Sequence, residues 1–345
     1  MKDESGKMKE SADRRLKAFL AIIFFSFLFP FVVTAAEVKE KAEVEGKMVF
    51  YATFNASDSK TIIDGFKQLY PKIDAVFYRA TDAQLMERIL TEARAGKSLW
   101  DVVTTTSFYG HTLKKRGFLA AHESPERKFY RDGYKDSQGM WTSTYTNYAA
   151  FGYNTKQLPK SDVPKSYADL LRPEWNGDIG MDGRAYEWFG TMLKAMGEEK
   201  GLSFMRALAK QQTQLRNGRT LIAQLVAAGE FKGALTAYSQ TFEQLKVTGA
   251  PTDWVYLNPV FANIHPTGLS AKAPHPNAGK LFIDYMLSKR GQEIIQSLRR
   301  IPDRVDILPD PPRLVEGITP AFAPNEVFEE FERYAKVFHE IFGGK

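Results

Sequence analysis

Residues Tyr145–Thr155 read YTNYAAFGYNT. Aromatic and β-forming residues dominate this stretch, which predicts a strand or a strand pair with Asn147 and Asn154 as its polar points. On either side lies a segment patterned like half of an α/β unit. A second stretch of the same character, Trp254–Ile264 (WVYLNPVFANI), follows about 100 residues later. The two are read as crossings between two lobes, with a ligand held in the cleft between them.

Working outward toward the N-terminus, Lys47–Thr53 and Ala75–Tyr78 read as strands, and Leu99–Thr104 as a buried strand. Between them, Ile62, Ile63, Phe66 and Leu69 recur at helical spacing until Pro71, and Ala83–Ala95 is amphipathic until Gly96. A further helix is expected from about Phe108 to Lys115. Beyond the first crossing come a short strand at Gly177–Met181, helices at Tyr186–Met196, Gly201–Lys210 and Thr220–Ala228, and a strand at Phe231–Tyr238. Beyond the second crossing, helices at Asn277–Ser288 and Gly291–Leu298 return to the first lobe. Ile307–Pro312 reads as a rigid linker and Asn325–Phe342 as one amphipathic terminal helix. The alternation of strand and helix predicts an α/β fold of two lobes, each an open, mainly parallel sheet with helices on both faces, joined by crossing strands. The expected division is residues 37–147 plus 260–310 for lobe one, 148–259 for lobe two, and 311–345 for the linker and terminal helix. Ligands of such sheets collect at the carboxyl ends of the strands.

The N-terminus has the three-part layout of a secretory signal peptide over residues 1–36. Arg14, Arg15 and Lys17 precede the apolar Ala18–Val33, and Thr34-Ala35-Ala36 supplies small residues at the cut. An uncleaved anchor is the alternative, but the apolar run is 16 residues and contains Pro30, against the roughly 20 that a spanning helix needs. The chain has no Cys, so neither a disulfide nor a lipid anchor on cysteine is available. An exported protein with no anchor is retained by an outer membrane, which makes the periplasm the expected location. The net charge of +6 falls to about +4 without residues 1–36, a soluble mixed-charge surface that calls for no nucleic acid.

Backbone N–H groups at helix N-termini bind anions, and three turns after strand ends offer such places. The first holds Thr53, Asn55 and Ser57. The second has four successive hydroxyls, Thr104-Thr105-Thr106-Ser107. In the third, Arg184 adds a forked cation. Helix capping is the competing explanation for each. Tyr238, ending a strand of lobe two, would donate to an anion, bind a hard metal as phenolate, or simply fill the core. Tyr145 and Asn147 mark the crossing. None of the five His has the helical spacing of a zinc pair, and no nucleophile elbow or phosphate loop occurs. The residues offer no specific support for an enzyme, a metal site or a cofactor.

Several segments together resemble the extracellular solute-binding proteins of ABC importers, in the group named for ferric-iron binding proteins. They include ERILTEARAGKSLWDVV at 87–103, YNTKQLP at 153–159, PKSYADLLRPEWNGDIG at 164–180, AAGEFKGAL at 227–235, KAPHPNAGKLFIDYMLSKRGQEI at 272–294 and PDRVD at 302–306. The resemblance implies a type II periplasmic binding fold, hinge closure on a ligand, and delivery to an inner-membrane permease by a monomeric, non-enzymatic protein. Iron binders of this group use two adjacent Tyr at the strand matching Leu235–Tyr238, often with a His after the first strand. Here Tyr238 stands alone and Asn55 holds the other position. The expectation is therefore a small anionic solute, such as a phosphonate or a sugar phosphate. Ferric iron, or a sensory protein feeding a membrane receptor, is the alternative.

Overall fold

The computed structural model describes residues 35–343, so nearly all of the expected signal peptide lies outside the described residues. α1 (Ala35–Glu45) leads into β1 (Lys47–Ala52), α2 (Ala56–Leu69), β2 (Asp74–Arg79), α3 (Asp82–Arg94), β3 (Val102–Thr104) and α4 (Ser107–Lys115). Local chemistry sets the helix starts. Asn55 caps α2 by accepting from Asp58 N, and Thr81 and Gln84 form a reciprocal capping box on α3. Gly96, at φ +69°, ends the turn after α3.

β4 (Leu119–Ala120) and β5 (Thr142–Tyr148) complete the N-terminal part of sheet one. β6 (Phe151–Asn154) begins sheet two, so Tyr145–Thr155 is a strand pair divided between two sheets. Then follow β7 (Ile179–Asp182), α5 (Tyr186–Met196), α6 (Glu198–Lys210), β8 (Gln214–Arg216), α7 (Arg219–Ala228), β9 (Gly233–Ala234), α8 (Ser239–Val247) and β10 (Thr252–Val255). The chain returns through β11 (Val260–Ser270), α9 (Pro276–Leu287) and α10 (Lys289–Ser297), and ends with β12 (Pro320–Phe322), α11 (Asn325–Glu329) and α12 (Phe331–Phe342).

Sheet one runs β12-β11-β3-β1-β2, with β4 and β5 also paired to β11. Sheet two runs β10-β6-β9-β7-β8. Both are mixed. β1 is parallel to β2 and β3, whereas β11 is antiparallel to β3, β4 and β5. In sheet two, β7 is parallel to β8 and β9, while β6 is antiparallel to β9 and β10. The antiparallel pairs come from the strands that cross between sheets. All eleven residues of β11 are buried, as befits a strand paired to four others.

The core forms clusters on each sheet. Tyr51, Leu85, Ile89, Trp100 and Val103 pack on sheet one. Phe151, Trp175, Met181, Trp188, Phe189 and Met192 pack on sheet two. Gly152 marks a close approach: a Cβ there would stand 1.9 Å from the Phe242 ring.

Three elements differ from the expectation. β3 starts at Val102 because the Asp101 carboxylate accepts the Val49 N–H at 2.8 Å, doing what a main-chain carbonyl would otherwise do. The expected strand Phe231–Tyr238 pairs as a strand only at Gly233–Ala234, since Thr236 lies at φ 68°, a left-handed conformation that is costly for a β-branched residue. The terminal helix is interrupted at Glu330. Among the described residues no helix is long and apolar enough to cross a membrane.

Candidate functional site

In sheet one, α2, α3 and α4 start after β1, β2 and β3. In sheet two, α5, α7 and α8 start after β7, β8 and β9. Helix N-termini therefore gather at the carboxyl ends of the strands. Four acids occupy this zone: Asp58, Asp82 and Glu187 in first helical turns and Asp182 at a strand end. Carboxylates suit the positive ends of helix dipoles.

The hydroxyl-rich turn of sheet one is filled from within. Asp82 Oδ1 accepts from Thr105 Oγ1 at 2.6 Å, from Thr106 N at 2.9 Å and from Thr106 Oγ1 at 3.1 Å. Thr53 turns inward as well: its N and Oγ1 both donate to Thr104 O at 3.3 Å. Asn55 Oδ1 accepts from Asp58 N at 2.8 Å and from Ser57 Oγ at 2.7 Å. These groups are engaged in capping and turn formation.

Ser107 faces the other sheet. Its Oγ stands 2.5 Å from Glu187 Oε1, on α5, and 3.0 Å from Asn263 Oδ1, on β11. Asn263 Nδ2 donates in turn to the Tyr238 hydroxyl at 2.8 Å. Over the Tyr238 ring lies the Arg219 guanidinium, 4.6 Å from the centroid. Arg219 is the first residue of α7, and its side chain is only 18% exposed. Its Nε is buried with no hydrogen-bond partner; the nearest carboxylate oxygen, Asp182 Oδ2, is 3.6 Å away, beyond hydrogen-bond reach. Asp182 is instead held by the backbone N–H groups of Arg184 and Gly218. Arg184 itself is exposed.

Burial lowers the proton affinity of Arg219, opposed by Asp182 and Glu187. Burial also raises the Glu187 pKa, with Ser107 and Arg219 acting against it. At the crossing, Tyr145 stacks on His265 at 3.8 Å, and Arg300 lies 4.6 Å above its ring. Burial, then the Arg300 charge, hold His265 down to about 3, so it is neutral at neutral pH. Arg300 is paired with Asp58 at 2.7 Å. Asn147 Oδ1 accepts from Gln240 Nε2.

The structure thus links Ser107 to Tyr238 through Asn263, and places Tyr145 and Asn147 on the crossing strand β5. The residues that sequence reading passed over are Glu187, Arg219 and Asn263, whereas Asp182 opens the third turn, whose ligand contact was assigned to Arg184. Arg219 carried a signal. A cation in the first turn of a helix opposes the dipole, so a buried Arg there has to be held for another reason. Among the described residues, no group of three or more His, Asp or Glu is placed to hold a metal ion.

The sequence profile of the bacterial extracellular solute-binding proteins matches residues 97–322. A Fe(3+)-binding periplasmic protein of Serratia marcescens is 24% identical over 271 residues, which is 75% of this chain and 78% of that one. Iron-bound HitA from Pseudomonas aeruginosa superposes with a TM-score of 0.73 at 22% identity, covering 86% of this chain and 99% of its own. The periplasmic binding protein AfuA from Actinobacillus pleuropneumoniae, with exogenous fructose-6-phosphate bound, gives 0.68 at 20%, covering 87% and 99%.

Proposed function

As this chain belongs to the bacterial extracellular solute-binding protein family, we propose that it is the periplasmic binding component of an ABC importer and that its solute is a small organic anion, a phosphonate or a hydroxylated phosphate ester. The observation that carries the ligand class is Arg219. A guanidinium mostly withdrawn from water, with a buried and unpartnered Nε, is an expensive feature to keep. An anion between the lobes would satisfy it, and the N-termini of α4, α7 and α8 would add N–H donors. Glu187, at the same cleft, suits a ligand hydroxyl. The AfuA likeness agrees with a sugar phosphate. Closure then stabilises the liganded form by as much as the solute prefers the closed state.

The rival is ferric iron, favoured by the Serratia relative and by Tyr238 at the cleft. The lone phenol and the lack, among the described residues, of a group of three His, Asp or Glu weigh against it. The test is a thermal-shift screen of protein recovered from the periplasm after expression of the full chain. A ligand at about 100 times its Kd adds roughly 2.7 kcal/mol. A shift with sugar phosphates or phosphonates supports the proposal. A shift confined to ferric citrate, with a coloured complex, replaces it with iron.

A further inference from the structure

Each acid at the cleft has company of its own except one. Asp58 pairs with Arg300, Asp82 accepts from Thr105 and Thr106, and Asp182 accepts from the Arg184 and Gly218 backbone. The side-chain contact of Glu187 comes from the opposite sheet, from Ser107. That contact is over-subscribed on the acceptor side. One Ser107 hydroxyl proton faces both Glu187 Oε1 and Asn263 Oδ1, so completing the chain requires a protonated Glu187 or a reversed Asn263 amide. Ser107 thus occupies the donor position that Glu187 presents toward the cleft.

We infer that Glu187 is a specificity-determining residue, selecting solutes that carry a hydrogen-bond donor, a hydroxyl or an ammonium, within reach of the anionic group that Arg219 holds. The inference rests on the anion reading given above. Ser107 Oγ meets both Glu187 and Asn263, Asn263 donates to the Tyr238 hydroxyl, and Arg219 lies over the Tyr238 ring, so one small molecule spans the distance between Glu187 and Arg219. A solute that brings a donor replaces Ser107 at the carboxylate and releases the Ser107 proton for Asn263. A solute made only of acceptor oxygens sets them against a partly buried carboxylate, leaving unpaired acceptors and like charges together. Arg219 therefore supplies the attraction, and Glu187 decides which anions keep it.

The experiment is calorimetry on the full exported protein with two probes, fructose 6-phosphate and methyl phosphate, which share a dianionic phosphate and differ in hydroxyls. Wild type is expected to favour fructose 6-phosphate by about tenfold or more, the scale of one hydrogen bond to a charged group. In Glu187→Gln, fructose 6-phosphate is expected to weaken by about tenfold while methyl phosphate holds or tightens, the carboxylate repulsion having gone. Glu187→Ala should show the same convergence, and an unchanged melting midpoint without ligand shows that each variant is folded. If both probes change by one common factor in these variants, the Glu187 role is overturned, while binding that disappears in Arg219→Ala leaves the anion reading standing. If neither probe binds wild type at millimolar concentration, the anion reading falls and this inference with it.

Discussion

The strand-end turns of the two sheets treat their charged groups differently. On the sheet-one side the chain answers its own needs. Asp82 fills the Thr105–Thr106 turn, Asn55 caps α2 with Ser57 beside it, and Asp58 holds Arg300. On the sheet-two side Arg219 Nε and Gln240 Oε1 are buried without partners. A run of hydroxyls in sequence is therefore a poor guide to a binding surface, because hydroxyls attract internal carboxylates as readily as external anions. A buried guanidinium that keeps an N–H without a hydrogen-bond partner, as Arg219 does although Asp182 stands 3.6 Å away, is the better guide, since native interiors pair nearly all such groups.

The largest expected effect comes from an exception on the first side, where Ser59 Oγ and Thr146 Oγ1 are also buried without partners. Asp303 is 8% exposed and both its carboxyl oxygens lack hydrogen-bond partners. Burial raises its pKa to about 7; the nearby Ser143 and Thr146 hydroxyls oppose this without reaching hydrogen-bond geometry. The folded state thus holds this proton more tightly than the unfolded chain. The stability it lends is full below the unfolded value of 3.8 and is lost as pH rises toward 7. At about 1.4 kcal/mol per unit, Asp303→Asn should stabilise the protein by up to about 4 kcal/mol at pH 8 and by little at pH 4. Urea unfolding at the two pH values measures this, and equal changes at both would break the comparison by making Asp303 an ordinary satisfied group.

Next in size is Arg219→Ala. Loss of a charge-assisted contact should cost about 1.5–3 kcal/mol of ligand binding, roughly ten- to a hundredfold in Kd, measured by calorimetry, with no loss of stability. Asp82→Ala sharpens the contrast from the other side. It leaves three donors unanswered and should lower stability by about 1–3 kcal/mol, while Kd for the same ligand moves little. A large loss of affinity with intact stability would instead place the Thr105–Thr106 turn in the binding surface. The smallest effect belongs to Arg184→Ala. An exposed guanidinium contributes little, so both the melting midpoint and Kd should stay within error.

Most of the architecture was legible, because periodicity and turn residues report burial directly. The strand pair at Tyr145–Thr155, the helix at Tyr186–Met196 and the return of the chain through Trp254–Ile264 all follow from apolar spacing. What was not legible depended on partners distant in sequence. Asp101 shortens β3 by reaching Val49, 52 residues away, and Thr236 breaks its strand where Asp182 N donates to its hydroxyl. The site was harder for the same reason. Arg184 and Arg219 both lie near the start of a helix in sequence, and only the packing of Tyr238 against Arg219 tells which one is withdrawn from water. Glu187 reads as an ordinary first-turn acid until Ser107, 80 residues earlier, arrives opposite it.

The last residues of the chain bear on how the two sheets are joined. β12 pairs with β11 in sheet one, whereas Val327, Tyr334 and Phe338 sit in the core of sheet two. Phe331 lies between them, 4.5 Å from Phe108 and 5.7 Å from Tyr186, neighbours in sequence of Ser107 and Glu187. Three covalent spans, rather than two, therefore join the halves. Two spans running side by side act like a pin hinge and leave a twisting freedom about their common direction. A third span restrains that twist. Three connections between the sheets hold Ser107 and Glu187 opposite each other.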